Sequence, residues 1–331
     1  MEDVIIVGAG PCGLSAGVEC QAAGLDVLIL EKGCVVNSIY QYPTYMTFFS
    51  SPDLLEIGGI PFMTEREKPT RKEALNYYRT VAERKQLRIH TYEEVKDVRK
   101  QDDHFAVETE TMHGDRNRYE ARNVIIATGY FDNPNRLGVP GEDLPKVFHQ
   151  FKEAHPFQGT KVAIIGGQNS AVDAAMDLER NGADVTVVYR GGELSPKIKP
   201  WVRPMFESLL NKGRIKMLFN ARVTEIKQRT IVIEQEGKQF EIDNDFVLKL
   251  IGYRPDRDFL VRIGVEVNEE TTAPVFNPET METNVPGIYI AGVIAAGREA
   301  NEIFIENGRG HGALIARHIA EKQGKRAETE A

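Results

Sequence analysis

Cysteine is scarce: the chain has three, Cys12, Cys20 and Cys34, and no two form a C-x-x-C pair. That excludes a zinc site built on paired thiols and a disulfide-stapled secreted fold, so no metal is expected and the expected setting is a reducing cytoplasm. Long apolar runs are also missing. None approaches the ~20 residues that a membrane-spanning helix needs. The first apolar segment, Val4 to Val7, is strand-length and has no basic leader, so it does not read as a signal peptide. Positive charge is in deficit, with a formal net charge of -8. An acidic chain gains nothing from phosphate backbones or anionic lipid, which makes nucleic acid and membrane surfaces poor partners.

What is present begins with length. The 331 residues accommodate two domains with separate cores. An internal repeat then divides them. Val4–Gly33 runs VIIVGAGPCGLSAGVECQAAGLDVLILEKG, and Val162–Gly191 runs VAIIGGQNSAVDAAMDLERNGADVTVVYRG. Each opens with a β-branched apolar run ending at a glycine, the pattern of a buried parallel strand. An amphipathic stretch follows, then Gly24 or Gly182, then a second apolar strand, Val27–Leu30 or Val185–Val188. Strand, tight turn, helix and strand make a right-handed βαβ unit, twice.

In the first unit Gly8, Gly10 and Gly13 complete G-x-G-x-x-G, with Pro11 and Cys12 between the last two glycines. The first glycine permits the turn, the second lets backbone approach a pyrophosphate, and the third lets the helix pack on the strand. The helix N-terminus offers free N–H groups to the phosphates. Glu31 ends the second strand, where a carboxylate accepts ribose hydroxyls, and Lys32 beside it joins the expected cofactor contacts.

The second unit, Gly166-Gly167-Gln168-Asn169-Ser170-Ala171, departs in two places. Gln168 replaces the middle glycine, where its side chain either crowds a pyrophosphate or donates to it; Ala171 replaces the third. At the position matching Glu31 stands Tyr189, followed by Arg190. A carboxylate there would repel a 2′-phosphate, whereas tyrosine and arginine accommodate one, with Lys197 and Lys199 as further cations. The expectation is FAD in the first unit and NADPH in the second.

Three more stretches complete a pattern: Val124-Ile-Ile-Ala-Thr128-Gly129, Phe246 through Gly252-Tyr-Arg-Pro255, and Thr283-Asn-Val-Pro-Gly287-Ile-Tyr-Ile-Ala-Gly292-Val293. With the double fingerprint they resemble the thioredoxin-reductase-like branch of the pyridine nucleotide–disulfide oxidoreductases. The resemblance implies an α/β fold of two Rossmann-like, three-layer nucleotide-binding domains. The NADPH domain, residues 127–252, would be inserted into an FAD domain made of residues 1–126 and 253–331. Thr128, Gly129 and Gly292 would touch FAD. The last motif of the family ends Gly-Asp, the aspartate holding the ribityl chain; Val293 stands in its place here. A helix expected to begin near Asn301 would face the flavin.

Members of that branch differ in where electrons go. The C-x-x-C of thioredoxin reductase is missing between Gly141 and Gly166, and Cys34 has Ile39 five residues on, so the C-x-x-x-x-C of the glutathione-reductase type is missing too. The F-x-G-x-x-x-H of flavin monooxygenases is broken at Gln150. What remains is Cys12 in the first phosphate loop. With the Gly-Gly-Gln-Asn-Ser-Ala turn and Phe304-Ile-Glu-Asn-Gly308, the chain resembles the bacillithiol disulfide reductase family. That resemblance implies that NADPH reduces FAD, and FADH₂ a small-molecule disulfide, with Cys12 as the catalytic thiol.

Two readings of Cys12 stand. A helix N-terminus lowers a thiol pKa and favours the nucleophilic thiolate; a small buried residue is also what a phosphate loop wants. Cys20 falls two helical turns on and reads as core, and Cys34 as packing or a resolving thiol. The aromatic segment Tyr40–Pro52 reads equally as a flavin wall or a covered loop; Arg66, Lys68, Arg71 and Lys72 read either as a basic patch for an anionic substrate or, by preference, as a solvated helix start. The alternative function is a ferredoxin- or flavodoxin-NADP reductase of the same fold, which needs no cysteine. A third, non-enzymatic reading is a redox sensor that binds both nucleotides. A homo-oligomer is the expected assembly.

Overall fold

The computed structural model describes residues 1–298 and 302–324. The chain divides into two compact units, Met1–Tyr40 with Met46–Asn133 and Arg254–Ala331, and Gln41–Tyr45 with Pro134–Tyr253. In chain order the first unit begins with β1 (Glu2–Val7), α1 (Pro11–Ala22), β2 (Val27–Glu31), α2 (Asn37–Gln41), α3 (Pro52–Leu55), α4 (Arg71–Arg84), β3 (Ile89–Thr91), β4 (Glu93–Lys100), β5 (Phe105–Thr111) and β6 (Arg116–Ile126). The second unit follows with β7 (Val147–Phe148), β8 (Lys161–Ile165), α5 (Asn169–Arg180), β9 (Asp184–Val188), α6 (Arg203–Asn211), β10 (Ile215–Leu218), β11 (Ala221–Ile226), β12 (Thr230–Gln235), β13 (Lys238–Asp243) and β14 (Phe246–Lys249). The chain returns to the first unit for α7 (Arg257–Arg262), β15 (Ile288–Ile290), α8 (Ile305–Gly308) and α9 (His311–Lys322).

The first unit is built on parallel strands in the order β3-β2-β1-β6, with β15 on the far side of β6. The long β6 serves twice. Its second half lies parallel to β1, in register from Val4 opposite Asn123 to Val7 opposite Ile126, and its first half pairs antiparallel with β5, which carries β4. Val4, Ile5 and Ile6 are sealed on both faces, as the β-branched run required. The strand order reverses beside β1, and ligands of open α/β sheets bind beyond the strand ends at that point.

Small residues set the layer above the sheet. A Cβ added at Gly17 of α1 would lie 2.8 Å from Ile29 Cδ1 of β2, and one at Gly312 of α9 would lie 2.6 Å from the Ala16 Cα. The helices α1 and α9 therefore touch backbone to backbone, which a larger residue at either face would prevent. Helix α4 starts with a capping box: the Glu73 N–H donates to Thr70 Oγ1 at 3.3 Å and the Thr70 N–H to Glu73 Oε2 at 2.7 Å. Such caps contribute about 1 kcal/mol.

The second unit repeats the plan. Its sheet runs β10-β9-β8-β14-β7, all parallel, with Val162 opposite Val185 as Val4 is opposite Val27. A three-stranded antiparallel sheet, β11-β12-β13, accompanies it. Helix α5 buries Ala171, Val172, Ala174, Ala175 and Leu178 against one sheet face. Both Rossmann-like units expected from the repeat are present.

One buried charge pair stands out in this unit. Lys249, ending β14, donates to Glu142, and their side chains are 1% and 2% exposed. Glu142 also accepts the Leu137 and Gly138 N–H groups, each at 2.8 Å. Burial alone would push the carboxyl up; the lysine and the two N–H groups outweigh it and hold it at about 2. Because the folded pKa lies below the unfolded ~4.3, the contribution is complete above that pH and lost as pH falls through the folded value. Lys249→Met would leave the carboxylate buried and unpaired. It should lower stability by about 3–5 kcal/mol, and Glu142→Leu in the same chain should recover much of it. Thermal melts of wild type, single and double variants check this; a single variant as stable as wild type would contradict it.

Candidate cofactor loops and the Cys12 pocket

The turn after β1 is shaped by close approaches. Gly8 has φ +108°, a conformation side chains rarely adopt, and a Cβ there would lie 2.6 Å from the Ala127 carbonyl oxygen. A Cβ at Gly13 would lie 2.0 Å from the Gly8 oxygen. The first turn of α1 thus rests on the end of β1. Gly10 is different. Its φ is −71° and a Cβ there meets nothing within 4 Å. Packing does not require glycine at this position, and its backbone is left open to approach. α1 has no side-chain cap, and Pro11 occupies its first turn, so the N–H groups there remain for a ligand.

Glu31 faces this turn from the end of β2. Its Oε2 accepts the Ala9 N–H at 2.8 Å and its Oε1 the Gly33 N–H at 2.7 Å. Burial pushes its carboxyl above the ordinary range, and the two N–H bonds oppose that. Each oxygen keeps a lone pair for a ribose hydroxyl. Lys32 is turned to Asp132 at 3.2 Å. Thr128 follows β6, its hydroxyl buried without a hydrogen bond among the described residues, and Gly129 has φ +68°.

The Cys12 sulfur points inward. A Cβ at Gly292 would lie 2.9 Å from Sγ and one at Gly308 would lie 3.0 Å from it, so the thiol sits between the end of β15 and the end of α8. The sequence left two readings of this thiol open, a helix N-terminus that lowers its pKa and a small residue packed in the loop. In the structure burial wins, and the Cys12 thiol is pushed up to about 12. Cys20 is fully buried core. Cys34 donates to Asn37 Oδ1 at 3.6 Å, a local contact within its own turn.

The second turn reproduces the first with substitutions. Gly166 has φ +141°, and its Cβ would meet the Leu250 oxygen at 2.4 Å, as Gly8 meets Ala127. Ala171 takes the third glycine's place and is buried. The Tyr189 ring lies across this turn: a Cβ at Gly167 would be 2.3 Å from it. Gln168 is exposed at the N-cap of α5 with no capping bond, and Ser170 is exposed beside it. The Asn169 side chain is occupied: its Nδ2 donates to the Lys197 carbonyl at 2.9 Å and its Oδ1 accepts the Lys199 N–H at 3.0 Å. Asn169 therefore ties the loop bearing Lys197 to the turn, leaving its backbone N–H for a ligand. Arg190 and Lys197 are exposed, and neither forms an ion pair among the described residues.

Other expectations are placed as follows. Asn301 lies outside the described residues; the described helix nearest it is α8, from Ile305. Val293 opens a 3-10 turn, Val293–Ala296, and brings no acid. In the aromatic segment Phe48 is buried while Tyr40 and Phe49 are about half exposed. Arg71 is not a free patch cation: it donates to the Ile39 and Tyr40 carbonyls at 3.1 and 2.6 Å. Sequence reasoning missed His311, whose Nδ1 accepts the Gly292 N–H at 3.1 Å. The signal was there, a histidine inside the glycine cluster Gly308-Arg309-Gly310-His311-Gly312. Among the described residues no helix is long and apolar enough to cross a membrane, and no group of histidine, cysteine and acid side chains could hold a metal.

The profile described as pyridine nucleotide-disulphide oxidoreductase matches residues 5–292. Bacilliredoxin reductase Bdr of Bacillus subtilis (strain 168) is 54% identical over 324 residues, covering 97% of this chain and 98% of that protein. The solved structure of Bacillithiol Disulfide Reductase Bdr from Bacillus cereus is similar with a TM-score of 0.95 at 52% identity, covering 97% of this chain and 99% of that one. The one from Staphylococcus aureus gives 0.93 at 52% identity with the same coverage.

The two glycines of the first loop should separate packing from binding. Gly13→Ala, which drives a Cβ into the Gly8 oxygen, should lower stability by about 1–3 kcal/mol and release flavin. Gly10→Ala should melt like the wild-type protein stripped of flavin while failing to retain flavin on purification. Flavin absorbance and thermal melts read both, and a Gly10→Ala protein that stays yellow would remove the ligand from that loop.

Proposed function

The chain belongs to the pyridine nucleotide-disulphide oxidoreductase family, and from that premise we propose that it uses NADPH and FAD to reduce a low-molecular-weight disulfide of the bacillithiol type. The reading is carried by one observation, the 54% identity that runs the length of the chain and of the Bacillus subtilis reductase alike. The proposed assembly is a homo-oligomer in a reducing cytoplasm, a setting consistent with three free thiols.

FAD bound at the first loop would supply the redox couple between the nicotinamide and the disulfide. The residues fit it. Gly10 leaves open the approach to backbone, the α1 N-terminus offers its N–H groups to the pyrophosphate, and Glu31 offers acceptors to the adenosine ribose. In this reading residues 1–126 and 253–331 form the FAD domain and 127–252 the NADPH domain. Gly166, Gly167 and the N–H groups of Gln168, Asn169 and Ser170 receive the NADPH diphosphate. Tyr189, Arg190 and Lys197 receive the 2′-phosphate, Arg190 by charge-assisted hydrogen bonds.

Cys12 is the proposed catalytic thiol. As thiolate it would attack one sulfur of the disulfide, forming a mixed disulfide and releasing the other half as a thiolate. Packing around the sulfur raises the Cys12 pKa, so the thiol must first lose its proton. That same burial favours a second reading, a ferredoxin-NADP reductase whose electrons leave without any thiol.

NADPH oxidation measured with bacillithiol disulfide, with a ferredoxin and with no acceptor separates these readings; turnover dependent on the small disulfide is expected, and turnover only through ferredoxin would overturn it. Arg190→Glu should raise the NADPH KM by roughly 10- to 150-fold and leave the NADH KM nearly unchanged. Equal changes would take Arg190 out of the site. Cys12→Ser should keep FAD and its bleaching by NADPH under anaerobic conditions while losing disulfide-dependent turnover, since serine is a far poorer nucleophile at neutral pH. Full disulfide reductase activity in that variant would instead favour exit without the thiol.

A further inference from the structure

Three elements of the first unit converge on Gly292. From α1 comes Cys12, whose Sγ lies against it; from α8 comes Gly308, on the other side of the same sulfur. From α9 comes His311, brought close because Gly312 rests on Ala16 of α1. The Gly292 N–H donates to His311 Nδ1 at 3.1 Å. A peptide N–H has no lone pair, so Nδ1 must be the unprotonated nitrogen, and a neutral imidazole then carries its proton on Nε2. Burial lowers the His311 pKa, the same direction as that geometry requires. Nε2 has no hydrogen-bond partner among the described residues. The next residue of the strand end is Val293, whose side chain offers no hydrogen bond.

We propose that His311 is a direct FAD ligand, its Nε2–H donating to an oxygen of the ribityl–pyrophosphate chain where it passes Gly292. The proposal rests on the FAD reading above. The Gly292 bond orients the ring, and Gly292 itself lies against Cys12 of the Gly8–Gly13 loop. A hydrogen-bond donor thereby serves beside a strand end that carries valine.

The two ring nitrogens can be tested separately. His311→Asn places an acceptor near the Nδ1 position and keeps the Gly292 bond, but it does not reach the Nε2 position. His311→Gln does the reverse. Holoenzyme is diluted and FAD release is followed by the gain in flavin fluorescence; thermal midpoints are measured in saturating FAD. His311→Asn should release FAD about 3- to 10-fold faster than wild type, the loss of one neutral hydrogen bond, with its midpoint in saturating FAD within error of wild type. His311→Gln should release FAD near the wild-type rate. A wild-type release rate in His311→Asn, or fast release in His311→Gln alone, would overturn the proposal and leave the imidazole as a support for Gly292. Wild-type protein that binds no FAD would instead overturn the FAD reading itself.

Discussion

The contact on which both nucleotide loops depend is a helix resting on the end of the strand before it. At the first loop it is Gly13 over the Gly8 carbonyl, where an added Cβ would come within 2.0 Å. At the second it is Ala171 beside Gly166, where an added Cβ on the glycine would come within 3.3 Å of the alanine methyl. The difference in size tolerated is the difference between the two loops: the first admits no third-position side chain, the second admits a methyl. In each, the first glycine also abuts a carbonyl of the segment crossing from the neighbouring strand, Ala127 or Leu250. Two adjacent strands and one helix are therefore locked at one point, and the helix N-terminus is aimed past the strand ends. With that aim set, Gly10 is left facing open space, and a dinucleotide has somewhere to go.

The same point explains the state of Cys12. A helix N-terminus stabilises an anion by about 0.3–1 kcal/mol, at most about 2 in partly buried sites. Burial raises this thiol from 9.0 to about 12, which corresponds to about 4 kcal/mol against the thiolate. Burial is the larger effect, and it arises because Sγ is packed on Gly292 and Gly308. A thiol so placed is held toward its neutral, less nucleophilic form. Reactivity at Cys12 thus depends on the β15–α8 side of the pocket as much as on the helix that carries it.

Much of this was legible in the sequence, for physical reasons. Val4–Val7 and Val162–Ile165 had to be buried parallel strands because an unbroken β-branched run has no face for water, and both are. Gly8, Gly10 and Gly13 were assigned separate duties, and the structure separates them by what a Cβ would meet. What local pattern could not give was long-range. The Asn169 side chain bonds to residues 28 and 30 positions away, and Arg71 to carbonyls about 31 positions back. His311 meets Gly292 only because α9 lies against α1. The balance at Cys12 stayed open in the sequence for the same reason, since the glycines enclosing its sulfur come some 280 to 296 positions later in the chain.

The central claim is that one chain carries electrons from NADPH through FAD to a small disulfide. An anaerobic titration of the purified yellow protein tests it most directly. Equimolar NADPH should bleach the flavin band, and equimolar bacillithiol disulfide, added next without oxygen, should restore it. A flavin that NADPH does not bleach, or a bleached flavin that the disulfide leaves unchanged while ferredoxin restores it, would contradict the account.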